Sequence, residues 1–286
     1  MKLCRNHRLR LTPGRRTRRG FTLVEMAVVL VIVGVLMMSL LLPLGTQMEQ
    51  RQITDTRARL EDAREALIAF ALINGRLPCP ATTTSAGLEA PVAPVNGVCT
   101  KPYDGFLPAR TLSFNPQSSN GYAIDSWNNP IRYAVSKVSS SVFTTPPSGS
   151  AGIKYRVGLN GLADTGLQPD LRVCSDATGI TGAGAASAAC ATGKDITNIN
   201  PGTVVAVIYS VGKNFASGGA AGIDEAANWN PDPADPTKLT TLLPDRVFVS
   251  HTPAPTGATG GAFDDIVLWI PVGTLISRMI TAGALP

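Results

Sequence analysis

The chain has 286 residues, 44% of them hydrophobic and 16% charged, which fits one sizeable globular domain with extensions and excludes a disordered protein. The formal charge of +5 hints at nucleic acid only until it is located: residues 1–20 carry eight Lys/Arg and no acid, while residues 21–286 carry 17 bases against 20 acids. A basic leader feeding an apolar segment reads as a targeting signal, so no nucleic-acid partner is expected. With two His, of which His7 lies in the leader, a histidine-built zinc or triad site would rest on His251 alone.

From Met26 to Met48 no side chain is charged, and the run has the length that crosses a bilayer as a helix. A cleaved secretory signal would need a shorter apolar core and a small-x-small site, whereas here Pro43-Leu44-Gly45-Thr46-Gln47 leads into a charged helical pattern. Arg15, Arg16, Arg18 and Arg19 beside the membrane place the N-terminus in the cytoplasm, which makes a single-pass protein of the inner membrane with its remaining chain across it, in contact with lipid. Glu25 interrupts the apolar approach, and a lone carboxylate there is costly unless paired or drawn into the headgroup layer. It lies four residues after Phe21, and a cut after Gly20 would create an α-amino group with a pKa near about 8, a natural cationic partner.

The string Arg-Arg-Thr-Arg-Arg-Gly-Phe-Thr-Leu-Val-Glu, running from Arg15 to Glu25 into the apolar segment, resembles the N-terminal signal of type IV pilins and type II secretion pseudopilins. The resemblance implies cleavage between Gly20 and Phe21 by prepilin peptidase, methylation of the Phe21 amine, and polymerisation with other pilin or pseudopilin subunits on an inner-membrane assembly platform. Glycine at the cut offers no side chain to obstruct close backbone approach. In the packed filament, Glu25 paired with a neighbour's Phe21 amine would fix axial register as one polar group does in a coiled coil.

Beyond the span, Ile53, Leu60 and Leu67 recur every seven residues with Ala63 and Phe70 between them, and Arg51, Asp55, Arg57, Arg59, Asp62 and Arg64 lie off that stripe. This predicts an amphipathic helix over 49–74, ending at Asn74 with Gly75 as a left-handed cap and Pro78 beyond. Joined to the apolar segment, it would make one helix roughly 80 Å long, kinked at Pro43; a separate anchor and helix is the alternative. Four parts follow: a cleaved leader 1–20, a transmembrane and assembly helix 21–48, an amphipathic helix 49–74, and a globular head 75–286.

The head is rich in Gly, Pro, Ser and Thr, with β-prone runs at Ile131–Val135, Ile153–Val157, Val204–Tyr209, Arg246–Val249 and Asp265–Trp269 and a short terminal helix expected after Pro271. The fold class is α+β: a long N-terminal helix packed on a loop-rich antiparallel sheet. Asp125-Ser126-Trp127-Asn128-Asn129-Pro130-Ile131-Arg132-Tyr133 is similar to a segment that opens the sheet in pseudopilins, with Asn128 in place of a glycine and Ile131 in place of an aromatic. Val207–Asn214 is similar to their later strand and its Ser-x-Gly turn.

Cys79, Cys99, Cys174 and Cys190 have no Cys-x-x-Cys spacing, and an even number across the membrane argues for disulfides. Three connectivities are open, of which Cys79–Cys99 with Cys174–Cys190 staples two Gly/Ala/Thr-rich loops. The stretch 222–235 gathers Asp224, Glu225, Asp232 and Asp235 without EF-hand spacing, and reads first as a solvated acidic loop. Its oxygen ligands suit calcium, which the resemblance adds as a possible cofactor; Asp264-Asp265 offers a turn pair or further ligands. No nucleophile or pocket accompanies these carboxylates, so no enzyme is expected. Together the features predict a pilin-like structural subunit of a type IV pilus or type II secretion pseudopilus, a minor one given its large head. The alternative is a membrane-tethered adhesin or substrate-binding protein delivered by a pilin-like start.

Overall fold

A computed structural model describes residues 20–92, 94, 96–147, 151–180, 189–197, 204–214, 222–229 and 246–285, except the side chains of 39–44, 46, 139 and 140. The leader residues 1–19 and the expected ligands Asp232 and Asp235 lie outside the described residues. The chain divides into two compact units, Met1–Gln50 and Arg51–Pro286, and the division falls within the first helix, α1, Leu23–Asn74.

In the first unit every described side chain from Gly20 to Met38 is exposed, and most are large and apolar: Leu23 is 87% exposed and Met38 75%. Among the described residues no helix is long and apolar enough to cross a membrane. The apolar run read from the sequence, Met26 to Met48, includes the side chains outside that description.

In the second unit, α1 buries Leu60, Ala63, Leu67, Ile68 and Ala71. These follow a three- and four-residue rhythm, so they share one helix face, while the charged positions stay outside it. The helix stops where expected: Gly75 has φ +68, and its N–H donates to Ala71 O at 2.8 Å.

The face packs on a four-stranded antiparallel sheet ordered β1-β2-β4-β6, with β1 Gly105–Phe106, β2 Arg132–Val135, β4 Val204–Ser210 and β6 Ile266–Pro271. Tyr133, Val135, Ile208 and Ile270 point to the α1 side, where α6 (Val272–Thr281) adds Leu275, Ile276 and Met279. Ala134, Val207, Tyr209 and Val267 face the opposite way, into a second apolar layer with Val173 and Phe248. That layer belongs to a parallel pair, β3 Arg172–Cys174 with β5 Val247–Val249. Because both sheet faces are covered, all of β4 is buried, and its sequence is a continuous apolar run rather than an alternating one.

One expected strand is a helix. Residues 153–157 begin α4, Ile153–Asn160, although Ile, Tyr and Val favour strands. Ile153 and Val157, four apart, are buried together, while Tyr155, which a strand would place on their side, is exposed. Helical spacing therefore decides the state over local propensity. Short helices α2 (Ala109–Leu112) and α3 (Val138–Ser141) complete the α1 side.

Candidate functional site

The N-terminal signal has a defined local geometry. Gly20, Phe21 and Thr22 precede α1 outside the helix, and an ideal Cβ on Gly20 would meet nothing within 4 Å. Thr22 Oγ accepts the Glu25 N–H at 3.2 Å, and Glu25 Oε2 accepts the Thr22 N–H at 3.3 Å. This reciprocal capping box fixes the helix start two residues after the expected cut and leaves the Gly20–Phe21 peptide non-helical. Within the single chain, Glu25 is thus occupied by its own first turn.

The two strings singled out in the head are tied to each other. Asp125 is fully buried; its Oδ1 accepts the N–H groups of Trp127 and Asn129, both at 2.8 Å, and its Oδ2 accepts Ser210 Oγ–H at 2.6 Å. Asn129 Nδ2 donates to Gly212 O at 2.6 Å. The Arg59 guanidinium, on α1, donates to the carbonyls of Ile124 and Asp125 at 3.1 and 2.6 Å, and Thr56 Oγ accepts the Ser126 N–H at 3.2 Å. The turn therefore locks α1, the start of β2 and the end of β4 together. Asn128, where the resembling segment has glycine, adopts φ +65, a conformation asparagine tolerates better than most residues. Burial pushes the Asp125 carboxyl above its ordinary value, against the lowering effect of its hydrogen bonds.

Both local disulfides are present: Cys79–Cys99 and Cys174–Cys190, with Cα separations of 5.3 and 5.6 Å. The first lies beside a buried ion pair in which Arg76 forks both oxygens of Glu89 at 2.8 and 2.7 Å. The second joins the end of β3 to segment 189–197.

The acidic stretch is not a solvated loop where it is described. Residues Ile223–Trp229 form α5, and Asp224 and Glu225 are 2% and 3% exposed. Their neighbours explain the burial. Asp224 Oδ1 accepts the Ala177 N–H at 2.6 Å, and its Oδ2 lies 3.3 Å from His251 Nε2. Glu225 turns the other way: both its oxygens accept from Asn214 Nδ2 at 2.8 Å, and Oε1 accepts the Asp264 N–H at 3.1 Å.

Among the described residues the carboxylates that meet are thus Glu225, Asp264 and Asp265, each offering an oxygen within 4.8 Å of the others. Asp224 stands apart from this group. Asp264 Oδ2 accepts the N–H groups of Lys213 and Asn214 at 3.0 and 3.2 Å, whereas its buried Oδ1 has no hydrogen bond among the described residues. Asp265 Oδ2 accepts from Asn228 Nδ2 at 2.9 Å. Burial first, and the Glu225 charge second, push the Asp264 carboxyl up to about 6. Asp265 is driven well above the ordinary carboxylate range, again chiefly by burial. Gly212 (φ +67) is required here, since a Cβ would fall 2.0 Å from Asp264 Oδ1. An all-oxygen donor set with one orphaned buried oxygen fits a hard cation such as calcium. Asn214 and Asn228, which frame the cluster, carry no local sequence signal, because their carboxylate partners lie 11 and 37 residues along the chain.

Comparison with known proteins agrees with the N-terminal geometry. Residues 15–41 match the family described as the prokaryotic N-terminal methylation motif. The chain is similar to type II secretion system core protein G of Pseudomonas aeruginosa, 30% identical over 127 residues, which cover 42% of this chain and 75% of the relative. No solved structure matches.

Proposed function

Since the chain belongs to the type IV pilin and type II secretion pseudopilin family, we propose that it serves as a minor subunit of a type II secretion pseudopilus. Prepilin peptidase cuts between Gly20 and Phe21, the Phe21 amine is methylated, and the apolar helix enters the filament from the inner membrane with the head on the periplasmic side. The observation that carries this reading is the methylation motif over residues 15–41, which runs into a helix from Leu23 whose described apolar side chains are all exposed through Met38. Apolar surface of that extent requires lipid or neighbouring helices to cover it. The role is structural, not enzymatic.

Assembly gives Glu25 a second partner. Cleavage creates the Phe21 amine, and in the packed filament a neighbour's amine replaces the exposed capping-box donors as the group that neutralises the carboxylate. In the head, Glu225, Asp264 and Asp265 would hold a calcium ion, whose charge would relieve the repulsion among them. Asn214 and Asn228 orient the carboxylates for it.

The test is Glu25→Ala expressed beside the other assembly components. Normal processing and head folding with lost incorporation into sheared filaments or cross-linked oligomers is expected. Wild-type incorporation would remove Glu25 from the mechanism.

A further inference from the structure

We propose that the Cys174–Cys190 disulfide is a positioning element for the Glu225–Asp264–Asp265 cluster and sets its affinity for calcium. This rests on the cation reading above and adds a control that the cluster itself does not contain. Two chains of contacts lead from the bridge to the carboxylates.

The first runs through the parallel strands. Cys174 is in register with Val249, and its carbonyl accepts the Ser250 N–H at 2.9 Å. The backbone of Val249 is gripped by one side chain: Asn228 Oδ1 accepts its N–H at 2.6 Å, and Asn228 Nδ2 donates to its carbonyl at 2.8 Å. The same Nδ2 holds Asp265 Oδ2. Asn228 is fully buried, so a shift of β5 against β3 moves the amide that orients Asp265.

The second runs through the loop after β3. Cys190 anchors a segment in which Lys194 O accepts the Ser175 N–H at 2.8 Å and Lys194 Nζ pairs with Asp176 Oδ1 at 2.6 Å. Those contacts pin the turn that presents the Ala177 N–H to Asp224, and Asp224 precedes Glu225 on α5. Apart from the bridge, the described contacts of segment 189–197 include the Lys194–Asp176 and Arg172–Asp195 pairs, Lys194 Nζ donating to Thr178 O, and backbone bonds such as Ile196 N–H to Val173 O. Both ion pairs are partly exposed and correspondingly weak. The other disulfide, Cys79–Cys99, belongs to the α1-side core and touches neither route.

The experiment measures calcium binding to the full chain in detergent by titration calorimetry, for wild type, Cys174→Ser/Cys190→Ser and Cys79→Ser/Cys99→Ser. Loss of supporting contacts around metal ligands weakens affinity about tenfold or more. That loss is expected for the first variant, with the second within about twofold of wild type. Unchanged affinity in the first variant, or an equal loss in both, overturns the proposal while leaving the cation reading standing. A wild type that binds no calcium at millimolar concentration overturns the cation reading, and this inference with it. Should Cys174→Ser/Cys190→Ser fail to fold, Asn228→Ala with both bridges intact decides: a loss of about tenfold supports the strand route, and wild-type affinity overturns it.

Discussion

Replacing Asp125 by Ala should loosen the head at the point where α1, β2 and β4 meet. The fully buried carboxylate accepts two backbone N–H groups and the Ser210 hydroxyl, with the Asn129 and Ser210 bonds buried and the Trp127 bond partly so. Each donor left buried without a partner costs about 1–3 kcal/mol. Local relaxation recovers part of that, so a loss of about 3–6 kcal/mol is expected, a large fraction of the roughly 5–15 kcal/mol that stabilises a typical domain. Asp125→Asn keeps the acceptor for the two N–H groups and removes a buried charge, so it should lose less than about 2 kcal/mol.

The two variants also differ from wild type in pH dependence. The native carboxyl of Asp125 is raised, so between the ordinary value of 3.8 and its native value the folded state binds more protons than the unfolded one. Stability from this group is therefore greatest below 3.8 and falls as pH rises through the native value. The advantage of wild type over Asp125→Asn should shrink from acid towards neutral pH. Urea unfolding of the full chain in detergent, followed by near-ultraviolet circular dichroism, tests both points. An Asp125→Ala loss below about 1 kcal/mol, or a wild-type advantage that grows with pH, would refute the reasoning.

Intact-mass analysis of membrane-extracted protein should find a methylated N-terminus at Phe21, and Gly20→Leu should block the cut without disturbing the helix, since a Cβ there meets nothing. Cys79→Ser/Cys99→Ser should lower stability by about 3 kcal/mol by urea unfolding; non-reducing peptide mapping that finds free thiols at these positions in wild type would contradict the pairing. The Asp264 carboxyl, raised to about 6, makes stability fall as pH rises from 3.8 through about 6. Asp264→Asn should flatten that decline in melting temperature, and millimolar calcium should reverse it in wild type.

What the sequence discloses follows from how local each signal is. The signal string with its expected cut, Glu25 and the helix stop at Gly75 are written in contiguous residues, and the α1 stripe repeats within one helix. The strand–turn strings at Asp125 and Ser210 are each legible, but their union spans 85 residues and emerges only on folding. The carboxylate cluster illustrates the same limit. Proximity along the chain suggested Asp224 beside Glu225, yet adjacent helical residues point apart, and the helix sends Asp224 to Ala177 and Glu225 to Asp264. The misread strand at Ile153 has another cause: two buried positions four apart outweigh three β-prone residues.

The parallel pairing of β3 with β5 bears on the order in which the head forms. An antiparallel hairpin closes with a short turn, but these strands flank β4 and α5 in sequence, so their pairing must close a long loop. That entropy is recovered chiefly by packing Val173 and Phe248 on the outer face of the sheet, which must already exist. The back layer is therefore expected to consolidate after β4 has inserted between β2 and β6. Until then Ala134, Val207 and Tyr209 present a bare apolar surface, the interval in which a newly made head is most exposed to aggregation and proteolysis.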